Sequence, residues 1–316
     1  MVFVDLVLLA FSCVSLALGG FLAQESLSRL ARHYGFKEFF LGFTVMALST
    51  SLPELIVGLS SALNNISSLS FGDVIGSNVV DLTLVIGSVA LAAGKVRIER
   101  NLRKNWLFTL FLTSMPLILF LDGELSIIDG IILLLGFGFY MSQLIRERKE
   151  TKKPLVKLTE QELVSTVFSL VVGIILLILS ARWIIRSSIL LLQDFNIQPI
   201  VIGIVLVSIG TSLPELSFEI QSIRRGKEGL VLGDLFGSLV LNSTLILGLV
   251  SVINPIKAGF TPFLTTSLFL ILASLVFFFS VEDGKITRTE GFLLLCLYAI
   301  FLITSILSGV HLLQYK

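Results

Sequence analysis

The pentapeptide Thr-Ser-Leu-Pro-Glu stands at residues 50–54 and again at 211–215, both times inside an apolar stretch. The offset of 161 residues holds well beyond the pentapeptide. Gly42 falls on Gly203, Pro53 on Pro214, Gly72 and Asp73 on Gly233 and Asp234, Gly76 and Ser77 on Gly237 and Ser238, Thr83 on Thr244, Gly87 on Gly248, and Asp122-Gly123 on Asp283-Gly284. Carboxylates and helix breakers are the residues that an apolar segment tolerates least. Their recurrence in register implies a duplicated membrane unit built around them.

With 55% hydrophobic and 14% charged residues and a mean hydropathy of +0.97, the chain has too little polar surface for water to be its only solvent. Apolar runs of the roughly 20 residues that cross a bilayer fall near 3–23, 37–63, 69–93, 105–121, 125–145, 163–185, 198–222, 229–254, 260–281 and 289–312. The expected fold is an all-α polytopic membrane protein of ten transmembrane helices, arranged as two five-helix repeats at 1–145 and 163–316. The first run lacks a basic leader, carries Asp5 and has a counterpart at 163–185, so it reads as a retained helix and not a signal peptide.

An odd number of helices per repeat makes the halves enter the membrane from opposite sides, the inverted-repeat plan of many secondary transporters. With the N-terminus outside, the inner loops hold 19 of the 23 Lys and Arg residues, and only Arg182, Arg186, Lys257 and Lys316 remain outside. The positive-inside rule favours that orientation, a multi-pass cell-membrane protein whose 146–162 linker, RERKETKKPLVKLTEQE, is cytoplasmic. The linker is too short for a folded regulatory domain. A net charge of +1 offers nothing to nucleic acid, and no obligatory protein partner is expected. Cys13 and Cys296 have no second thiol or imidazole at ligand spacing, and His33 and His311 sit near helix ends, where packing and interfacial roles account for them.

The chemistry concentrates around the breaks. The two segments read Ala47, Ser49, Thr50, Ser51, Pro53, Glu54 and Ser208, Gly210, Thr211, Ser212, Pro214, Glu215. Proline removes a backbone donor and clashes with the preceding turn, which makes the carbonyls of Ala47, Thr50, Ser208 and Thr211 candidates to leave the helical ladder and meet a cation. The following helices add Ser77 with Asp81 and Ser238 with Asn242, each pair four residues apart. Folding the halves together would gather Glu54, Asp81, Glu215 and Asn242 among hydroxyls and carbonyls, an all-oxygen site suited to hard cations such as calcium and sodium. A kinked helix with nearby hydroxyls is ordinary in membranes. Three buried carboxylates are not, at about 2.5–3.5 kcal/mol each on insertion scales. Asp73 and Asp234 read as helix-start carboxylates that complement the dipole, or alternatively as cation-attracting vestibules, and Glu219 as an interfacial partner of Arg224 and Arg225.

The segments GFTVMALSTSLPE with GDVIGSNVVD, and GIVLVSIGTSLPE with GDLFGSLVLN, resemble the α-repeats of the sodium/calcium exchanger family, within the calcium/cation antiporter superfamily, at 42–87 and 203–248. The resemblance covers the whole chain. It implies an alternating-access antiporter, not an enzyme, with no cofactor, in which Glu54 and Glu215 flank transported calcium with the carbonyls of Thr50 and Thr211. It also implies sodium sites completed by Ala47, Ser51, Ser77, Ser208, Ser212 and Ser238. The chain departs from the family pattern in carrying Asp81 and Asn242 where relatives often have Asn and Asp, Asp73 and Asp234 where Asn is usual, and Ser49 where the first repeat usually reads Gly-Thr-Ser.

Proton- or potassium-coupled cation exchange on the same fold is the neighbouring alternative, since carboxylates that hold sodium also take protons. An intramembrane aspartyl protease would need Gly-x-Gly-Asp, and the leading position is Ser70 in one copy and Val231 in the other. A channel needs one open path and would leave a duplicated helix break without a purpose.

Overall fold

The computed structural model describes residues 2–34, 46–98, 100–146, 157–195 and 197–314. Lys37, Gly42 and most of the 146–162 linker lie outside the described residues, as do the side chains of Asp5 and His311. The described chain is helical apart from four strands of two or three residues. In order it forms α1 (Val2–His33), α2 (Ala47–Thr50), α3 (Leu52–Leu63), α4 (Ser67–Val80), α5 (Ile86–Ala93), β1 (Lys95–Arg97), α6 (Arg100–Leu119), β2 (Glu124–Leu125) and α7 (Ile127–Arg146). There follow α8 (Glu160–Phe195), α9 (Pro199–Ile202), α10 (Ser208–Thr211), α11 (Leu213–Arg224), α12 (Glu228–Val240), α13 (Leu247–Ile253), β3 (Ile256–Lys257), α14 (Phe260–Asp283), β4 (Lys285–Thr287) and α15 (Arg288–Gln314). Eight stretches among the described residues are long and apolar enough to cross a bilayer, and Leu52–Leu63 and Trp106–Asp122 are shorter apolar helices.

Two helices outrun the lengths expected from hydropathy. Helix α1 has 32 residues and α8 has 36, because the charges that close an apolar run do not close a helix. Arginine and glutamine are good helix formers, and no proline interrupts α8 before Pro199. The two helices lie against each other at a glycine crossing, where a Cβ on Gly173 would sit 2.9 Å from the carbonyl of Gly19. In lipid, where the hydrophobic effect does not draw helices together, such close backbone approach supplies the packing.

Matched glycines repeat this device between the halves. Gly87 of α5 abuts Gly291 of α15, and Gly248 of α13 abuts Gly130 of α7. Both members of the second pair are offset by 161 residues from those of the first. The strands pair likewise across the halves, β1 with β4 and β2 with β3, both antiparallel. Lys257 and Glu124 close the second ladder with an ion pair of 3.1 Å.

Among the described residues, complete π-helical turns lie at Asp81–Val85, Gly203–Val207 and Leu241–Ile246. At two of them a threonine hydroxyl takes over a carbonyl four residues back: Thr83 donates to Val79 and Thr244 to Val240. A π turn shifts its amides one residue further back and leaves such carbonyls needing a donor.

The tightest contact sets α4 against α9 and the adjoining π turn. A Cβ on Gly72 would lie 2.1 Å from the carbonyl of Ile200, and one on Gly203 would lie 2.3 Å from that of Leu69. Neither backbone has room to retreat. Gly203→Ala is therefore expected to lower the thermal midpoint in detergent, at a cost of at least about 1–3 kcal/mol from overpacking. Gly138→Ala in α7, where a Cβ meets nothing within 4 Å, is the control and should leave the midpoint unchanged or raise it. Equal midpoints for the two variants would contradict the contact.

Candidate functional site

Each half presents the same break. Helix α2 ends at Thr50, Ser51 turns out of the helix with φ −78° and ψ 7°, and α3 begins with Pro53 in its first turn. Helix α10 ends at Thr211, Ser212 has φ −82° and ψ 1°, and α11 begins with Pro214. Glu54 and Glu215 lie in the first turns of α3 and α11, where unpaired amides and the helix dipole favour negative charge. Proline offers no amide to the carbonyl four residues back, Ser49 or Gly210.

The carbonyls of Ala47 and Ser208, expected to leave the ladder, do not leave it. The Ala47 carbonyl accepts from the Ser51 amide at 3.0 Å and lies 3.2 Å from the Thr50 hydroxyl. The Ser208 carbonyl accepts from the Ser212 amide at 3.1 Å and lies 3.2 Å from the Thr211 hydroxyl. An α-helical amide reaches back four residues, and Ser51 and Ser212 still have theirs, so the carbonyls that face proline lie two residues further on, at Ser49 and Gly210.

The two threonines cross-link the halves. Thr211 Oγ1 lies 3.0 Å from Asp73 Oδ1 and 3.1 Å from Ser77 Oγ. Thr50 Oγ1 lies 3.3 Å from Asp234 Oδ1 and 3.2 Å from Ser238 Oγ. The arrangement is reciprocal: each break reaches the Asp and Ser of the other half. Ser77 Oγ also donates to Glu54 Oε1 at 3.5 Å, and the Ser212 hydroxyl lies beside Asp81. Asn242 donates through Nδ2 to Asn78 Oδ1 at 3.4 Å, and Asn78 Nδ2 donates to Ser243 Oγ at 2.8 Å.

Three sequence expectations change here. Asp73 and Asp234 are neither caps nor vestibule residues, since both are fully buried, and α4 starts six residues before Asp73 without a side-chain cap. Glu219 is not interfacial. It is buried, its electrostatic neighbours are Asp234 and Asp81, and among the described residues it forms no ion pair with Arg224 or Arg225. Asn78 and Ser243 were not anticipated. A periodic signal was available for the aspartates, because Asp73, Ser77 and Asp81 recur every four residues, as do Asp234, Ser238 and Asn242, which places each trio on one helix face.

The core thus holds six buried carboxylates, those of Glu54, Asp73, Asp81, Glu215, Glu219 and Asp234. Among the described residues no basic side chain figures among their electrostatic neighbours. Many of their oxygens have no hydrogen-bond partner among the described residues: Glu54 Oε2, Asp73 Oδ2, Asp81 Oδ1, both oxygens of Glu215, Glu219 Oε2 and Asp234 Oδ2, with Ser51 Oγ, Ser212 Oγ and Asn242 Oδ1 in addition. Buried oxygens without a donor have the chemistry to ligate a hard cation. Among the described residues no three acidic, histidine or cysteine side chains lie close enough together to hold a metal ion unaided. A cation bound here therefore draws part of its shell from hydroxyls, amides and backbone carbonyls.

The model of the family described as "Sodium/calcium exchanger protein" matches residues 4–146 and again residues 165–307. An uncharacterized membrane protein of Methanocaldococcus jannaschii is 31% identical over 275 residues, covering 86% of this chain and 88% of its own. The sodium/calcium exchanger MaX1 of Methanosarcina acetivorans is 26% identical over 346 residues, with 96% and 99% covered. The solved sodium-calcium exchanger NCX_Mj, from crystals soaked with sodium and strontium, superposes with a TM-score of 0.67 at 28% identity, covering 95% of this chain and 98% of that one.

Thr50→Val takes away the hydroxyl that faces Asp234 and leaves a buried carboxylate oxygen without a donor. In cation-depleted detergent the variant should be less stable by about 1–3 kcal/mol, and Thr50→Val with Asp234→Asn should regain much of the loss. A thermal midpoint for Thr50→Val equal to that of the parent would show that the cross-link carries no energy.

Proposed function

From the premise that the chain belongs to the sodium/calcium exchanger family, we propose the following reading of its site. The protein is a secondary antiporter that exchanges sodium for calcium across a membrane. Calcium lies between Glu54 and Glu215 and takes further oxygens from the backbone at Thr50 and Thr211. Sodium ions use the surrounding oxygens of Ser51, Ser77, Ser212 and Ser238, with the backbone at Ala47 and Ser208 as the outermost contributors, since both carbonyls keep their ladder hydrogen bonds to the Ser51 and Ser212 amides. Asp81 and Asn242 complete the centre. Asp73, Asp234 and Glu219 raise its negative potential.

The observation that carries this reading is the reciprocal cross-link of Thr211 to Asp73 and of Thr50 to Asp234. Ten helices in two inverted five-helix repeats would give such a site one face to each side of the membrane. Shifting one repeat against the other exchanges which face is open while the oxygen set stays in place. Competition follows from shared ligands: a carboxylate bound to calcium is not available to sodium, so each ion leaves as the other enters. The antiparallel pairing of Lys95–Arg97 with Lys285–Thr287 brings two of the basic loops together, which supports an N-terminus outside and the 146–162 linker inside.

Radioactive calcium uptake into proteoliposomes under imposed sodium, potassium or proton gradients tests the assignment. Uptake should follow an outward sodium gradient and resist proton ionophores at clamped voltage. Dependence on the proton gradient alone would overturn the sodium reading. In the same assay Glu54→Gln and Glu215→Gln should each abolish exchange while the protein stays folded, because the amide keeps the volume and loses the charge. Near-normal exchange by either would remove that residue from the site.

Asp81 and Asn242 allow a sharper test. If the centre needs one negative charge between them more than it needs that charge on a particular helix, Asp81→Asn should raise the calcium concentration for half-maximal exchange by about tenfold or more, equivalent to about 1.4 kcal/mol. Adding Asn242→Asp should restore most of the affinity, and the double-mutant cycle reads the coupling. Equal losses in the single and double variants would show that the two positions serve different sites.

A further inference from the structure

Two arginines on the expected outer side have no role in the transport site. Lys257, the other outer base among the described residues, is paired with Glu124. Arg182 and Arg186 form no ion pair among the described residues. They stand one turn apart on α8 and, with Ile185, Ile189, Leu190 and Asn64 at the end of α3, line a cavity of about 400 Å³, within the size range of small-molecule sites, about 300–1,000 Å³.

The position along α8 identifies what reaches this cavity. Residues 163–181 carry no charge. At 1.5 Å per residue they rise roughly 28 Å, close to the roughly 30 Å of bilayer hydrocarbon. Arg182 and Arg186 therefore stand at headgroup level. Trp183, 43% exposed, sits between them, and the Arg186 guanidinium lies 5.4 Å from its ring centre, the amphipathic anchor expected at a membrane boundary. Below the arginines Phe168, Val171, Ile175 and Leu179 are exposed at spacings of three and four residues, a continuous apolar stripe that ends at Arg182.

We propose that this cavity binds an anionic phospholipid, its phosphate between Arg182 and Arg186 and one acyl chain along the stripe of α8. Charge complementarity selects the occupant. Two guanidiniums that have no counterion among the described residues pair best with a headgroup that has no cation of its own, and guanidinium matches phosphate geometry through paired N–H donors. A zwitterionic headgroup would add a third positive charge to the pair. The lipid would bridge α8 to the helix that carries Glu54, and Asn64 offers a polar contact for the glycerol region.

The chain's tryptophan content makes binding directly readable. It has two tryptophans, and Trp106 is 1% exposed, so quenching by brominated lipid reports on Trp183. The full chain carrying Trp106→Phe is reconstituted into phosphatidylcholine vesicles containing rising fractions of brominated phosphatidylglycerol or, separately, brominated phosphatidylcholine. Half-maximal quenching is expected at a mole fraction of the anionic lipid lower by roughly thirtyfold, in line with two basic residues near the surface at about 1 kcal/mol each. Arg182→Gln with Arg186→Gln should bring the two curves together. Arg182→Gln alone, which keeps the Arg186 contact with Trp183, should halve the preference or more. Identical curves for the two lipids in the parent protein, or an undiminished preference in the double variant, would overturn the proposal. Relief of quenching by millimolar glycerol phosphate would assign the cavity to a soluble phosphate and overturn the lipid as its occupant. None of these readings depends on transport, so they stand apart from the antiport assignment.

Discussion

Six carboxylates buried in an apolar, membrane-spanning core, with no basic neighbour among the described residues, are the constraint around which the rest of the structure is organised. Each costs about 2.5–3.5 kcal/mol on insertion scales, and buried charges of one sign add mutual repulsion. The protein answers with partial charges and not with full ones. Hydroxyls of Thr50, Thr211 and Ser77 face the acids, and Glu54 and Glu215 sit at the starts of half-helices. These groups lower the cost without neutralising the site. A lysine there would settle the charge, whereas a set of oxygens left partly unsatisfied has the chemistry to accept a cation.

Holding those oxygens still requires the helices to approach more closely than side chains allow. Gly72 and Gly203 bring α4 against α9, and the pairs Gly87–Gly291 and Gly130–Gly248 lock the outer helices across the halves. The π turns at Asp81–Val85 and Leu241–Ile246 rotate the helix beyond them by widening the ladder locally. Thr83 and Thr244 supply the donors that the widened turns lack. Close packing thus falls to glycines and polar satisfaction to threonines, and both sets recur at the 161-residue offset.

Much of the site was readable in advance. The pairing of Pro53 with Glu54 and of Pro214 with Glu215 marked the breaks, because proline and a carboxylate are each costly in an apolar helix and their joint recurrence requires a use for both. Their exact carbonyls were not readable. Ala47 and Ser208 keep their ladder bonds because the backbone turns only at Ser51 and Ser212, whose amides still reach back to them. Asp73 and Asp234 looked like helix-start residues, yet the helix carrying Asp73 begins a turn and a half earlier, which sets that carboxylate in the core. Asn78 and Ser243 were invisible for a different reason. Their bond joins positions 165 residues apart that are not offset equivalents, so the repeat gave no hint of it.

The sequence by itself determined the membrane class, the duplication, the two breaks and the chemical nature of the site, since each follows from local properties: hydropathy, proline's missing amide and the cost of a carboxylate in hydrocarbon. Only the tertiary structure decided which hydroxyl meets which acid. Thr50 could have served Asp73 of its own half as readily as Asp234 of the other, and helical periodicity is silent on that choice. The close crossings at glycine bring each break against the opposite half. A contact between segments far apart in the chain is set by how whole helices pack, which no residue's own preference records.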